Sequence, residues 1–378
     1  MRSIWRTLFS GFDGILFGAI MCLTIFGLVT MYSPVEDNIY FNRQIIWVFL
    51  AVVVFFLAII PNYRFLRTGN IIFYSYLFII LLLILVLFFG EMTLGARQRF
   101  DFGFFSLQVS DPAKLILIAL LAKYFAKRHE LISDFKHILV SGFYVLVVFG
   151  LILIQPDFGS AMIIFAIWFG MVLVAGIRFR HVAVVFLLGM VALGGMWQFV
   201  FQEYQKERIM TFVDPLSDIQ GSGYNAYQST VTVGSGQILG KGIGYGTQSK
   251  FLYLPEYETD FIFAAFAEEW GLVGVVVLFT LFGVVFWRLL YHATMGVSNF
   301  EKLFATGVVI MLLAHFFVHV GINIGVLPVT GTTVPFLSYG GSHLIIEFLA
   351  IAMVLGMRGH INYQRLAKNQ TSGPLNFD

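Results

Sequence analysis

Charge is scarce in this chain. Only 12% of its 378 residues are Asp, Glu, Lys or Arg, whereas 59% are hydrophobic. A water-soluble domain of this length cannot bury that much apolar surface and still cover itself with polar groups, so no soluble fold fits. The formal net charge is only +2. Bulk charge therefore argues for neither nucleic acid nor an acidic partner. Cysteine is nearly missing as well: Cys22 is the single one, and no internal disulfide is possible. The sequence has no Cys/His cluster with the spacing of a structural metal site. It has no nucleotide-binding loop, so nothing points to ATP as an energy source. An internal repeat is not apparent, which counts against an inverted-repeat transporter.

What fills the chain is a series of long apolar runs. They predict ten membrane-spanning helices, at roughly 14–32, 43–61, 70–90, 112–126, 137–154, 158–176, 182–201, 261–287, 303–325 and 342–357. Each is close to the length that crosses a hydrocarbon core of about 30 Å, the fourth being the shortest. The first run follows Arg2 and Arg6 as a signal peptide would. It is too long for one and has no small-residue cleavage site after it, so it reads as a retained anchor. The chain is expected to form one integral membrane domain over residues 1–378.

Basic residues set the orientation. Arg2, Arg6, Arg64, Arg67, Lys123, Lys127, Arg128, Lys136, Arg178, Arg180, Arg288, Lys302, Arg358, Arg365 and Lys368 fall on one side. Arg43, Arg97, Arg99, Lys206, Arg208, Lys241 and Lys250 fall on the other. The excess places both termini in the cytoplasm, which requires an even number of spans. The outer side has most of the acids, among them Asp101, Asp157, Asp214, Asp218, Glu256, Glu258 and Asp260. It also has a long loop, residues 202–260, between the seventh and eighth spans. Its apolar and aromatic residues, such as Phe212, Tyr224, Tyr227, Leu252 and Tyr253, argue against a disordered linker.

Ionisable residues inside spans are costly and mark functional candidates. Asp111 and Lys114 share a helix face at the start of the fourth span. Asp111 or Ser110 could instead cap that helix, with Pro112 in its first turn. Lys114 needs an anionic partner, such as a carboxylate or a lipid phosphate, or a water-filled cavity. Glu268 and Glu269 in the eighth span, and Glu347 in the tenth, read first as structural ion pairs with Lys114 or a loop arginine. His315 and His319 lie four apart, a spacing that suits a metal, but without a third ligand they read as packing or helix–helix hydrogen bonding. Three polar outer segments adjoin helix starts: Gln155 to Ser160 (Gln-Pro-Asp-Phe-Gly-Ser), Tyr257 to Phe261 (Tyr-Glu-Thr-Asp-Phe) and Ser338 to Ser342 (Ser-Tyr-Gly-Gly-Ser). Each fits a cap or tight turn. Together they also suit an extracytoplasmic active site, where apolar walls beside water raise a catalytic carboxyl toward working pH.

Taken in order, these segments resemble the SEDS family (shape, elongation, division and sporulation), most closely its RodA branch. The resemblance rests on Arg43-Gln44, Gly95-Ala96 with Arg99, and Gln108 to Lys114 (Gln-Val-Ser-Asp-Pro-Ala-Lys). It continues through Gln155 to Ser160, Arg208-Ile209 with Asp214-Pro215, Gly223-Tyr224 to Ser229, Gly234 to Gly236, and Gly240 to Gln248. Leu254 to Phe263, Glu268-Glu269 with Gly271 to Gly274, and Leu327 to Ser342 complete it.

The resemblance implies a ten-helix, inverting peptidoglycan glycosyltransferase that polymerises lipid II on the outer face of the cytoplasmic membrane and releases prenyl pyrophosphate. It implies work with a class B penicillin-binding protein and the elongation machinery, and no nucleic-acid partner. No cofactor is certain, although Mg2+ or Mn2+ is compatible with a pyrophosphate donor. The family's essential aspartate matches Asp260, the expected general base for the acceptor hydroxyl. Its important lysine on the fourth helix matches Lys114, while Asp111, followed by Pro112, stands where the family has Glu. Glu258 stands where a His often precedes the Thr-Asp pair. Supporting or substrate-binding roles are expected for Lys114, Asp111, Asp157, Arg43, Arg208, Lys241, Glu268 and Ser338. Partner docking is expected on the eighth and ninth spans, with Gly271 and Gly274 allowing close helix approach. Two other functions suit the same features: a lipid II flippase, and the septal polymerase of the same family.

Overall fold

The structure is a computed structural model and describes residues 12–33, 38–93, 96–101, 103, 106–128, 135–176, 179–199, 206, 210, 212 and 223–371. It is built mainly of helices: α1 (Gly14–Met31), α2 (Ile39–Ile59), the short α3 (Arg64–Thr68), α4 (Ile71–Phe89), α5 (Ser110–Ala126), α6 (Phe135–Ile154), α7 (Phe158–Ala175) and α8 (Phe179–Phe199). They continue with α9 (Tyr224–Ser235), the one-turn α10 (Thr247–Lys250), α11 (Ile262–Thr294), α12 (Asn299–Asn323) and α13 (Gly341–Thr371). Among the described residues eight of these, α1, α2, α4, α6, α7, α11, α12 and the Gly341–Arg358 part of α13, are long and apolar enough to cross a membrane. The other two expected spans coincide with the helices α5, of 17 residues, and α8, of 21.

Helix α12 forms the middle of the bundle. It packs against α5, α7 and α11, and more lightly against α9 and α13. Helix α13 lies along α2, and α1 lies along α11. Small residues allow the closest approaches: a Cβ on Gly27 would sit 2.2 Å from the Leu337 carbonyl oxygen, and one on Gly341 would sit 2.3 Å from the Trp47 ring. Many large apolar side chains stay exposed on the outward faces of α2, α4 and α6, as lipid solvation requires.

One element was not expected from the sequence. Between α4 and α5 a three-stranded antiparallel sheet forms from β1 (Glu91–Thr93), β2 (Ala96–Asp101) and β3 (Ser106–Gln108), in the order β1-β2-β3. Arg99 pairs with Gln108 in its register. The sheet matters because β3 leads directly into α5.

Helix α11 is broken at Gly271, whose φ of 65° and ψ of −168° are non-helical. The backbone groups released by the break are taken up by residues 237–242. Lys241 and Gly242 donate to the Glu268 and Glu269 carbonyls at 2.9 and 3.0 Å, and Leu272 and Val273 donate to Gln237 and Ile238 at 2.9 and 3.1 Å. A broken helix is tolerated at membrane depth only when protein satisfies its backbone in this way. The expectation that Gly271 and Gly274 serve partner docking therefore needs correction. A Cβ on Gly271 would meet Gly240 N at 2.2 Å, and one on Gly274 would meet Trp270 Cβ of the same helix at 2.2 Å. Both glycines serve packing within this chain.

Candidate active site

Helix α5 begins with Ser110, Asp111, Pro112 and Lys114. Its N-cap is Val109, with no side-chain cap, so neither Ser110 nor Asp111 occupies the capping position. Pro112 is accommodated because first-turn N–H groups have no acceptor within the helix. The Asp111 carboxylate instead turns inward. Its Oδ1 accepts from Lys114 Nζ at 3.1 Å and from His343 Nδ1 at 3.2 Å; its Oδ2 accepts from Ser342 Oγ at 2.9 Å. His343 Nε2 lies 2.8 Å from Glu347 Oε1, and Glu347 Oε2 accepts from Phe336 N at 3.0 Å. Two carboxylates, an ammonium and an imidazole thus form one buried network between α5 and α13. Lys114 is only 2% exposed. Charges this deep are tolerable only because they pair with one another.

Asp157 joins the same region from α7. Its Oδ1 caps that helix by accepting from Ser160 N at 2.9 Å, and its Oδ2 accepts from Gln108 Nε2 at 3.1 Å. Gln108 N in turn donates to Ser342 Oγ at 3.4 Å, which links the end of β3 to α13.

Asp260 lies just before α11. The N-cap of α11 is Phe261, again without a side-chain cap, so Asp260 does not hold that position. The segment is fixed through its backbone. Asn323 Nδ2 donates to the Asp260 carbonyl at 3.0 Å, and Asn323 Oδ1 accepts from Ala264 N at 3.0 Å. Ser338 Oγ donates to the Thr259 carbonyl at 2.9 Å, while Tyr339 N donates to the Glu258 carbonyl at 2.8 Å. Gln44 Nε2 and Oε1 hold Ser338 O and Gly340 N at 3.2 and 3.3 Å. The Asp260 carboxylate faces Gly331, where φ is 69° and a Cβ would sit 3.4 Å from Oδ2. Nearby, burial pushes the Glu258 carboxyl above its usual range.

Glu268 belongs to a different constellation. It accepts from Lys241 Nζ at 2.7 Å, Gln248 N at 2.9 Å, Ser249 Oγ at 3.0 Å and Ser249 N at 3.1 Å. Its partner is therefore Lys241, not Lys114 or a loop arginine. Glu269 lies 3.4 Å from Lys250 Nζ, which also donates to the Thr30 and Tyr32 carbonyls at 2.6 and 2.8 Å. The structure thus brings Asp111, Lys114 and Asp157 into one region, Ser338 against the Asp260 segment, and Lys241 with Glu268 under the loop. Arg43 is exposed, and Arg208 lies outside the described residues. His315 and His319 each bond a backbone carbonyl through Nδ1, of Thr333 at 3.2 Å and Thr332 at 2.7 Å. Both acceptors lie in the segment between α12 and α13, so these bonds tie a helix to a loop and not helix to helix as expected. Among the described residues no group of three or more His, Cys, Asp or Glu is arranged to hold a metal.

Residues 6–363 match the family model of the FtsW/RodA/SpoVE cell cycle proteins. The chain belongs to this FtsW/RodA/SpoVE family. It is 33% identical to the probable peptidoglycan glycosyltransferase FtsW of Thiomicrospira cyclica, over 99% of this chain and 98% of the relative. It is 33% identical to the stage V sporulation protein E of Bacillus subtilis, over 91% of this chain and 96% of the relative. The peptidoglycan glycosyltransferase MrdB of Escherichia coli is 34% identical over 76% of this chain and 77% of that protein. Among solved structures, a chain of a peptidoglycan synthase complex that coordinates polymerization and crosslinking is similar at a TM-score of 0.80. The two share 32% identity over 93% of this chain and 99% of the other. The rod shape determining protein RodA of Thermus thermophilus is similar at a TM-score of 0.70, with 29% identity over 92% of this chain and 96% of that one.

For an FtsW/RodA/SpoVE protein, the sequence identified the acidic and basic candidates but not their scaffold. Asn323 and His343 were missed, and Glu347 was read only as structural. His343 immediately follows the Ser338 to Ser342 segment and has Glu347 one helical turn later, and that i,i+4 spacing was the available signal.

Proposed function

We propose that this peptidoglycan glycosyltransferase polymerises lipid II on the outer face of the cytoplasmic membrane, with Asp260 as general base. The supporting observation is the way Asp260 is held. Asn323 and Ser338 fix its segment from two sides, and its side chain is not committed to the N-cap of α11. A general base needs its backbone fixed in this way so that the carboxylate meets the acceptor hydroxyl in a defined position. Asp260 accepts the proton of the acceptor's C4 hydroxyl as that oxygen attacks the donor's anomeric carbon. The anomeric bond to pyrophosphate breaks, configuration inverts, and prenyl pyrophosphate leaves. Energy comes from that bond, so no nucleotide is required.

Lys114 supports departure of the pyrophosphate. Its ammonium has three donors, and Asp111 is the one partner it has among the described residues. A divalent cation, Mg2+ or Mn2+, would act on the substrate's own phosphates. Arg43, Arg208 and Lys241 are candidates for guiding the anionic substrate on the outer face. The likeness to a chain of a synthase complex supports pairing with a class B penicillin-binding protein. Likeness to RodA favours a role in elongation and rod shape. A septal role is the second reading, favoured by the FtsW relative that matches 99% of this chain.

Purified protein incubated with lipid II, with and without the partner, should yield lipid-linked glycan. Movement of intact lipid II across vesicles without polymer would instead establish a flippase.

A further inference from the structure

We infer that His343 is a positioning residue that keeps Lys114 available to the pyrophosphate group of the substrate. This inference rests on the reading of Lys114 as a pyrophosphate-binding cation. A lone Asp111–Lys114 pair at 3.1 Å would be closed on itself, because a buried carboxylate and ammonium satisfy each other best when nothing else competes. Here the carboxylate is divided. The same Oδ1 that accepts from Lys114 lies 3.2 Å from His343 Nδ1, and Oδ2 is taken by Ser342. His343 thus holds Asp111 in place from α13, so that Lys114 need not.

The imidazole is itself anchored. Glu347, one turn further along α13, lies 2.8 Å from Nε2 and is fixed by the Phe336 backbone N–H. The His315 ring stands 4.7 Å away, centroid to centroid, with its Nδ1 turned to the Thr333 carbonyl. His343 is the least enclosed of the four ionisable groups, its side chain 12% exposed against 3% for Lys114 and 4% for Asp111. An arriving anion that draws Lys114 away from Asp111 therefore leaves the carboxylate still bound by His343 and Ser342, not stranded in an apolar interior. Leaving it stranded would carry the full desolvation penalty of a buried charge.

Two substitutions separate the contacts of this ring. His343→Asn keeps an amide donor near the position of Nδ1 and so keeps the bond to Asp111. His343→Gln places its amide near Nε2, toward Glu347, and loses that bond. The probe is geranylgeranyl pyrophosphate, with geranylgeraniol as the control for the apolar tail. We expect His343→Gln to weaken binding of the pyrophosphate by about tenfold, the equivalent of one charged hydrogen bond, with His343→Asn much closer to the parent. Because Lys114 also supports departure of the pyrophosphate, kcat/KM for lipid II should fall in parallel. In an Asp111→Asn background His343→Gln should cost nothing more, because the residue it acts through is gone.

Equal losses in the Asn and Gln variants, or unchanged pyrophosphate affinity in both, would overturn the inference. If the His343 variants do not fold, Glu347→Gln serves instead. It removes the carboxylate that anchors the imidazole and so should lower pyrophosphate affinity, by less than Lys114→Met does, and parental affinity would overturn the inference. Lys114→Met also tests the underlying reading. Unchanged pyrophosphate affinity in that variant removes the pyrophosphate role of Lys114 itself. A loss there with none in His343→Gln removes only the role of His343.

Discussion

At the scale of single residues, the competing explanations for a carboxylate are structural capping and chemistry, and geometry separates them. Asp157 is a cap: it accepts from Ser160 N at the start of α7. Asp260 and Asp111 are not, because the N-cap positions of α11 and α5 belong to Phe261 and Val109. This sharpens one prediction. Asp260→Asn keeps the shape and the backbone bonds from Asn323 and Ser338, but cannot take a proton. The variant should fold, bind lipid II and make no glycan, as read by polymer formation beside a binding assay. Polymer at the parental rate would end the general-base assignment and move attention to Asp157.

At the scale of an element, α11 shows how a membrane helix can be broken without exposing its backbone. The break at Gly271 lets residues 237–242 pair with both sides of it, and Glu268, fully buried, ties residues 241–249 to the same helix. Glu268 is therefore expected to act on stability before chemistry. Replacing it with Leu leaves Lys241 and the Gln248 and Ser249 N–H groups without their acceptor. Lys241 is partly exposed and can turn to water, so the cost comes mainly from the buried Ser249 N–H left without an acceptor, about 1–3 kcal/mol. A lowered melting temperature in detergent and faster proteolysis within residues 236–253 should accompany Glu268→Leu. Parental melting with lost activity would instead give Glu268 a direct role at the substrate.

At the scale of the whole molecule, Asp13 joins the N-terminal helix to the far end of α11. It caps α1 through Leu16 N at 3.1 Å and accepts from Arg288 Nε at 2.8 Å and from His292 Nε2 at 2.7 Å. Burial raises the Asp13 carboxyl, but the bonds from His292 and Arg288 outweigh it, and its pKa lies below the ordinary 3.8. A lowered folded-state pKa means that the unfolded chain binds the proton more readily. The stabilisation is then fully present above the ordinary value and is lost as pH falls through the lowered one. Acid melting curves of the parent and Asp13→Asn should converge at low pH and separate above it; a gap that persists in acid would show that the tie does not depend on charge. Orientation belongs to this scale too. The basic-residue bias predicts that cysteine introduced at position 224 reacts with an impermeant reagent from outside and that cysteine at position 130 does not. The opposite labelling would reverse the placement of every proposed site residue.

The sequence alone determined that this chain is a bundle of membrane helices and where most of them run. Hydropathy is a local sum, and a span is decided by some twenty consecutive residues irrespective of what they pack against. It also marked Asp260, Lys114 and Asp111, because an ionisable residue in or beside an apolar run is conspicuous before any fold is known. Partnership was not legible. Asp111 meets His343 across 232 positions, Ser338 meets Thr259 across 79, and Glu268 takes its hydrogen bonds from residues 19 to 33 positions earlier. No periodicity encodes such distances. The strands β1 and β3, of three residues each, are too short to carry an alternation, and the break at Gly271 resembles helix-packing glycine until residues 237–242 are seen against it. Local chemistry specified the spans and the candidate charges. Only the packing of α5, α11, α12 and α13 decided which charges face one another, because a buried charge is stable only beside partners that distant segments bring to it.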